Sequence, residues 1–113
     1  MGAMVISGDL IRGYTDVIIL RVLLKNDSYG YEISKKITEM SGDEYTMKDT
    51  TLYSAFGRLE KSGYLKSYAG NSSGGGKRTY YNLTESGKNY YLDKCAEWKK
   101  TNEIISKFVK ENI

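Results

Sequence analysis

The chain has no histidine and no proline, and only one cysteine and one tryptophan among its 113 residues. One thiol cannot form an intrachain disulfide, and a zinc site of the usual Cys/His type lacks its ligands. Nucleophiles that depend on a histidine base are excluded for the same reason. We therefore expect no metal, no cofactor and no enzymatic activity.

Long apolar runs are also missing. The longest candidate, VIILRVLL at residues 17–24, is shorter than the roughly 18 apolar residues of a membrane span, and Arg21 interrupts it. No signal peptide is recognisable. These features predict a one-domain cytoplasmic protein with no membrane contact. Residues 1–3 are interpreted as a tag remnant before Met4, and we expect residues 1–8 to be disordered.

Positive charge is concentrated in one part of the chain. The net charge is only +3, but residues 48–78 hold six basic and two acidic side chains, an excess of four positive charges. The rest of the chain is therefore slightly acidic. This asymmetry favours attraction of residues 48–78 to phosphates, although a basic solvated surface is the alternative.

Apolar spacing predicts three helices, at residues 9–26, 29–41 and 49–62. The first is apolar almost all round, which points to cover from a partner subunit, and its β-branched residues leave a strand as the alternative. In the second helix, Ile33, Ile37 and Met40 form the apolar face. The third ends at Ser62-Gly63, where Gly63 suits the position after the C-cap.

The third helix has two contrasting faces. Its apolar stripe comprises Leu52, Ala55, Phe56 and Leu59. The opposite face offers hydroxyl, glycine and lysine groups that suit contact with phosphates and base edges. The residues concerned are Thr50, Tyr53, Ser54, Gly57 and Lys61, with Lys48 just before the helix. Gly57 costs a helix about 1 kcal/mol relative to alanine. A close approach of a phosphate would explain its presence, and an ordinary surface helix with a weak position is the alternative.

Two strands follow, at residues 64–69 and 78–83, joined by a glycine-rich loop that ends in Lys77 and Arg78. The loop is not a P-loop, because Asn71 and Arg78 stand where the pattern needs Gly and Ser or Thr. A polar helix followed by a basic hairpin predicts a winged helix-turn-helix over residues 9–84, an α+β and mostly helical fold. We therefore expect the third helix to enter the DNA major groove and Lys77 and Arg78 to contact the DNA backbone.

A long last helix is predicted after Thr84, running to about Asn112 and forming a dimerisation segment at residues 85–113. An apolar seam steps along it by four and three residues, a heptad pattern. Its members are Tyr91, Cys95, Trp98, Asn102, Ile105 and Val109. A second copy would cover this seam, so we expect a homodimer that binds palindromic double-stranded DNA. Trp98 as a plain interface residue is the alternative to a ligand contact.

Several segments together resemble the PadR family of transcriptional regulators, particularly its small multidrug-sensing subgroup. They are IRGYTDVIILRVL at 11–23, YGYEI at 29–33, TLYSAFGRLEKSGYL at 51–65, GGGKRTYYNLTESG at 74–87, and Trp98 with NEII at 102–105. The resemblance runs from about Leu10 to Phe108. It implies a dimeric repressor whose terminal helices form the interface.

The resemblance also implies site residues. Planar aromatic or cationic molecules would enter a pore between subunits and stack between the two copies of Trp98. The pore residues carried over are Leu10, Gly13, Asp16, Val17, Cys95, Trp98 and Asn102. On the DNA side the resemblance supports Tyr53, Lys61, Lys77 and Arg78 and adds Thr51 and Gly75. Lys94 is a departure, because the subgroup tends to have a small residue there.

Two alternatives remain open at this stage. The first is a winged-helix regulator or protein-interaction module with no small-molecule effector. The second gives the sole thiol, Cys95, a redox-sensing role across the dimer seam.

Overall fold

The computed structural model describes residues 6–72 and 74–113. The predicted disordered segment 1–8 falls within this range only at residues 6–8; residues 1–5 lie outside the described residues. Ser7 accepts a hydrogen bond from the Leu10 N–H at 3.4 Å and caps the first helix, which begins at Gly8. Ser7 is therefore the N-cap of this helix and Gly8 is its first residue, and the disorder of residues 1–8 stays a prediction.

The described residues form five helices and three strands, which are joined by loops and turns. In chain order they are α1 (Gly8–Arg12), α2 (Thr15–Val22), β1 (Ser28–Tyr29), α3 (Gly30–Met40), α4 (Asp49–Lys61), β2 (Leu65–Asn71), β3 (Lys77–Leu83) and α5 (Glu85–Ile105). The prediction of a mostly helical α+β fold is confirmed.

The single helix predicted at 9–26 is wrong. The chain forms α1 and α2, separated by a turn at Gly13 and Tyr14. Glycine weakens a helix interior by about 1 kcal/mol, and Tyr14 leaves the helical region with φ −111° and ψ 5°. Helix α2 then stops at Val22, four residues before the predicted end.

Helix α2 is the central element of the core. Ile19 and Leu20 are fully buried, and α2 contacts α3, α4 and α5 of its own chain. The apolar character of α2 on several sides is thus satisfied within one protomer, so it is not by itself a sign of a partner subunit. The stripe predicted on α4 packs against this core, with each of its four members at most 1% exposed.

The apolar face predicted for the second helix holds only in part. Ile33 and Ile37 are buried, but Met40 is 60% exposed. Met40 is the last residue of α3, and the chain turns away immediately after it through Gly42 and Asp43, which both have positive φ. The side chain therefore lies at the edge of the core rather than within it.

The strands form an antiparallel sheet in the order β1–β3–β2. Strand β1 was not predicted, because two residues cannot show an alternating pattern. Strands β2 and β3 extend further toward the hairpin tip than predicted, with Asn71 paired to Lys77. We call this hairpin, residues 65–83, the wing.

Helix α5 begins where Thr84 accepts a hydrogen bond from the Gly87 N–H at 3.0 Å. It ends at Ile105, so the predicted extension to Asn112 is wrong; Ser106 donates a hydrogen bond to the Asn102 carbonyl at 2.6 Å in the last turn. Across residues 6–72 and 74–113, every helix is too short or too polar to cross a membrane.

Candidate nucleic-acid interface and neighbouring groove

The outward face of α4 carries the polar residues that the sequence assigned to it. Thr50, Ser54, Gly57 and Lys61 are exposed and lie opposite the buried stripe, while Thr51 is half-buried on the side that faces α2. Lys48 is exposed at the N-cap position. No atom lies within 4 Å of a Cβ built on Gly57. The face is therefore open, small and polar along about three helical turns.

Helix α4 is closed by the glycine that was predicted to end it. The Gly63 N–H donates to the Glu60 carbonyl at 3.0 Å, and the Tyr64 N–H donates to the Leu59 carbonyl at 2.9 Å. With Gly63 at φ 83°, this is a Schellman motif. The motif turns the chain directly from α4, which ends at Lys61, into the wing, which begins at Leu65.

Tyr53 lies on one flank of this outward face. A Cβ on Gly30, the first residue of α3, would lie only 2.1 Å from the Tyr53 hydroxyl oxygen. The Tyr53 ring also packs edge-on against Phe56, with ring centroids 5.4 Å apart. Tyr53 is still 53% exposed. Its position therefore depends on the absence of a side chain at residue 30.

Arg58 lies on the opposite flank and was not among the predicted site residues. Its Nη1 donates a hydrogen bond to Asp16 Oδ2 at 2.8 Å, and this bond raises the pKa of Arg58. Tyr90 of α5 donates to the same carboxylate oxygen at 3.3 Å. The helix that carries the polar face is thus joined to α2 and α5 through one carboxylate.

The two predicted wing cations lie on opposite faces of the hairpin. Side chains alternate along a strand, so Lys77 shares the face of Thr79 and Tyr81, whereas Arg78 shares the face of Tyr80. The Arg78 guanidinium lies 4.0 Å from the centre of the Tyr29 ring. Lys77 is exposed near the tip. The structure therefore distinguishes an exposed lysine, on the same face as the buried Tyr81, from a half-buried arginine that is stacked on Tyr29 of β1.

The wing tip is a tight turn among its described residues. The Gly76 N–H donates to Ser72 Oγ at 2.9 Å, and the Ser72 N–H donates to the Gly76 carbonyl at 2.7 Å. Gly75 has φ 85°, a left-handed conformation that favours glycine. The turn itself therefore favours glycine at position 75, independently of any contact that this residue makes with DNA.

Tyrosines and one aspartate brace the face of the wing that carries Arg78. The Tyr68 and Tyr80 rings stack with centroids 5.6 Å apart. Asp27 accepts hydrogen bonds from the Tyr68 hydroxyl at 2.7 Å and from Asn82 Nδ2 at 2.9 Å; the first of these raises the pKa of Tyr68. These partners are distant in sequence, so no local pattern indicated them.

A groove of about 300 Å³ runs between the α1–α2 turn and α5. It brings together five of the seven residues predicted to bind a ligand: Leu10, Gly13, Asp16, Val17 and Trp98. Tyr14, Tyr90 and Lys94 complete much of its wall. Trp98 is 47% exposed, so its ring is available to a neighbouring molecule.

The remaining two predicted ligand residues lie elsewhere. Cys95 lines an adjacent apolar hollow that shares Val17 and Trp98 with the groove. Asn102 is exposed one turn further along α5 and contributes to neither surface. Lys94, the departure noted above, donates to Glu97 Oε1 at 3.4 Å and lies 5.5 Å from the Tyr90 ring centre. Its ammonium group is thus held inside the groove wall.

Helices α3 and α4, joined by a short connection and followed by the β2–β3 hairpin, define a winged helix-turn-helix protein. The chain belongs to the PadR-like family of transcriptional regulators, whose family model matches residues 19–93.

Solved structures agree with this assignment. A transcriptional regulator from Clostridium thermocellum is 57% identical, with a TM-score of 0.86 over 94% of this chain and 100% of that one. A PadR family regulator from Clostridium difficile is 40% identical, with a TM-score of 0.75 over 87% and 100% of the two chains. Bacillus subtilis PadR, solved in complex with operator DNA, is 26% identical, with a TM-score of 0.62 over 69% of this chain and 45% of that one.

Proposed function

We propose that this protein is a DNA-binding repressor that acts as a homodimer. The observation that carries the proposal is the open polar face of α4, in a helix that leads directly into a wing with an exposed Lys77. Small hydroxyl groups and a glycine allow close approach to base edges, and the cations neutralise phosphates. The B. subtilis relative in complex with operator DNA supports the same use of this fold.

A gel-shift assay with the DNA upstream of the protein's own reading frame tests this proposal. We expect retardation that weakens steeply with salt, because phosphate contacts release counterions. The matched variants are Lys61→Ala on α4 and Lys99→Ala on α5; the first should lower affinity and the second should not. Absence of retardation at every salt concentration, with this fragment and with mixed genomic DNA, would contradict DNA binding.

Helix α5 supports the dimer. Its surface exposes Trp98 and Ile105, which are seven residues apart on one side of the helix and are 47% and 51% exposed. Phe108 and Val109 continue the apolar surface beyond the helix, at 79% and 71% exposed. A second copy would bury them, and two DNA-binding heads would then meet half-sites about 34 Å apart. Sedimentation should give twice the protomer mass, whereas a monomer at micromolar concentration would contradict the proposal.

The groove supports a planar aromatic effector that lowers DNA affinity. Three aromatic residues, Tyr14, Tyr90 and Trp98, line it, and α2 connects it to α4. Because Trp98 is the only tryptophan, its fluorescence reports occupancy directly. A planar dye should quench it. Because the variants Trp98→Phe and Trp98→Ala lack tryptophan, the fluorescence anisotropy of the dye measures their binding, and Trp98→Phe should keep dye binding better than Trp98→Ala. Unchanged fluorescence at saturating dye would leave a regulator without this effector.

A further inference from the structure

One carboxylate, that of Asp16, joins three helices. It lies in the first turn of α2, and its Oδ2 accepts hydrogen bonds from Arg58 of α4 at 2.8 Å and from Tyr90 of α5 at 3.3 Å. The Asp16 side chain is only 18% exposed. Its other oxygen, Oδ1, is buried and has no hydrogen-bond partner among residues 6–72 and 74–113. The carboxylate therefore has a free acceptor as well as two partners.

Arg58 is placed to touch DNA while it holds Asp16. It follows Ser54 by one helical turn and precedes Lys61 by another, so it borders the outward face of α4. Its side chain is 56% exposed. A guanidinium has five N–H donors, and Asp16 engages it through Nη1. The remaining donors are available to a phosphate, and the bond to Asp16 limits the directions in which they point.

Asp16 is also part of the groove wall, together with Trp98. An occupant that donates a hydrogen bond to Asp16 Oδ2 competes with Arg58 for the same oxygen. The groove is thus linked to the edge of the polar face of α4 by a single hydrogen bond, the one from Arg58 to Asp16. This gives the two sites a direct physical link.

We propose that Arg58 contacts a DNA phosphate, that Asp16 is the positioning residue that orients it, and that a cationic occupant of the groove weakens DNA binding by drawing Asp16 away from Arg58. This inference rests on the proposed DNA-binding function. The proposal has an unusual consequence: although Asp16 is negatively charged, its carboxylate should increase the affinity for DNA, because it orients Arg58.

Four variants in the gel-shift assay test the proposal: Asp16→Asn, Arg58→Gln, the double variant, and Asp93→Asn as the control. Asp93 is exposed on α5 and does not line the groove, so its neutralisation makes the same charge change outside the proposed link. Asp16→Asn and Arg58→Gln should each lower affinity by about five- to tenfold, a typical coupling between linked groups. The double variant should be no weaker than Arg58→Gln alone. Asp93→Asn should bind DNA as the native protein does.

Two results for Asp16→Asn would overturn the proposal, and both differ from a failure of DNA binding itself. If Asp16 merely competes with phosphate for Arg58, Asp16→Asn will bind DNA more tightly and with a steeper salt dependence, which overturns the proposal. Affinity equal to that of the native protein overturns it as well. If the native protein itself fails to bind DNA, the proposed function fails; if the native protein binds and Asp16→Asn binds equally, only this inference fails.

Trp98 supplies a readout that a general loss of stability would not reproduce. Coupling is reciprocal, so bound DNA should change the access of acrylamide to Trp98 in the native protein. That change should disappear in Arg58→Gln, compared at saturating DNA and at a temperature at which circular dichroism shows this variant folded. A DNA-induced change in Trp98 quenching that survives in Arg58→Gln would refute the link.

Discussion

Replacing Gly57 with alanine should make the protein more stable and a poorer DNA binder. Gly57 lies in the interior of α4, where alanine is favoured over glycine by about 0.5–1 kcal/mol. A Cβ there meets no atom within 4 Å, so no clash offsets this gain. For a domain of this size the thermal midpoint should rise by about 2–4 °C.

The same methyl group stands on the face that we assign to DNA. If a base edge or phosphate approaches Gly57 closely, an added methyl overpacks the contact at a cost of about 1–3 kcal/mol. Affinity for the upstream fragment should then fall by about tenfold or more, since each 1.4 kcal/mol is about tenfold. Circular dichroism melting and fluorescence anisotropy with labelled DNA measure the two effects separately.

The control is Ala96→Gly, the reverse change at an exposed position within α5. It should lower the thermal midpoint by a similar amount and leave DNA affinity unchanged. A Gly57→Ala protein that is stabilised yet binds DNA with native affinity would refute the close approach of DNA to this face.

Three further outcomes follow from the structure. Gly87→Ala should destabilise the fold by about 1–3 kcal/mol in urea titrations, because its Cβ would lie 2.2 Å from the Tyr64 carbonyl oxygen; unchanged stability would contradict this packing. Lys77→Ala should reduce the slope of log affinity against log salt by about 0.9 per protomer on any DNA sequence, and an effect limited to one operator would contradict a phosphate contact. The hydrogen bond from Ser28 lowers the pKa of Glu32, so the stability it contributes is present above the ordinary glutamate pKa and is lost as the pH falls through the lowered value. Ser28→Ala should therefore be less stable than the native protein near neutral pH, with a smaller difference in acid.

The sequence predicted the elements whose side chains repeat with a clear period. The buried stripe of α4 and the glycine that ends it were identified correctly, because 3.6-residue spacing and the Schellman glycine are local signals. The break at Gly13 was missed, since the apolar residues on either side keep a helical spacing across it. Strand β1 was missed because two residues carry no period.

Site residues could be predicted from the sequence only where they lie on a single helix or strand. The polar face of α4 could be derived from its helical period, and the opposite directions of Lys77 and Arg78 follow from strand alternation once the strand is known. The pair of Asp16 and Arg58, 42 residues apart, could not be derived, because spacing along the chain says nothing about a contact between packed helices. The bracing of Tyr68 by Asp27 is a second contact of this kind.

The position of α2 determines where the chain can be cut without exposing the core. Its buried residues face α5 as well as the helices of the DNA-binding unit, and Tyr90 and Tyr91 of α5 pack on the same core. A fragment that stops at Leu83 would lose that cover and leave part of its interior in water. The winged unit is therefore not a portable module, and a chimera that grafts it onto another dimeriser must carry the first half of α5 with it.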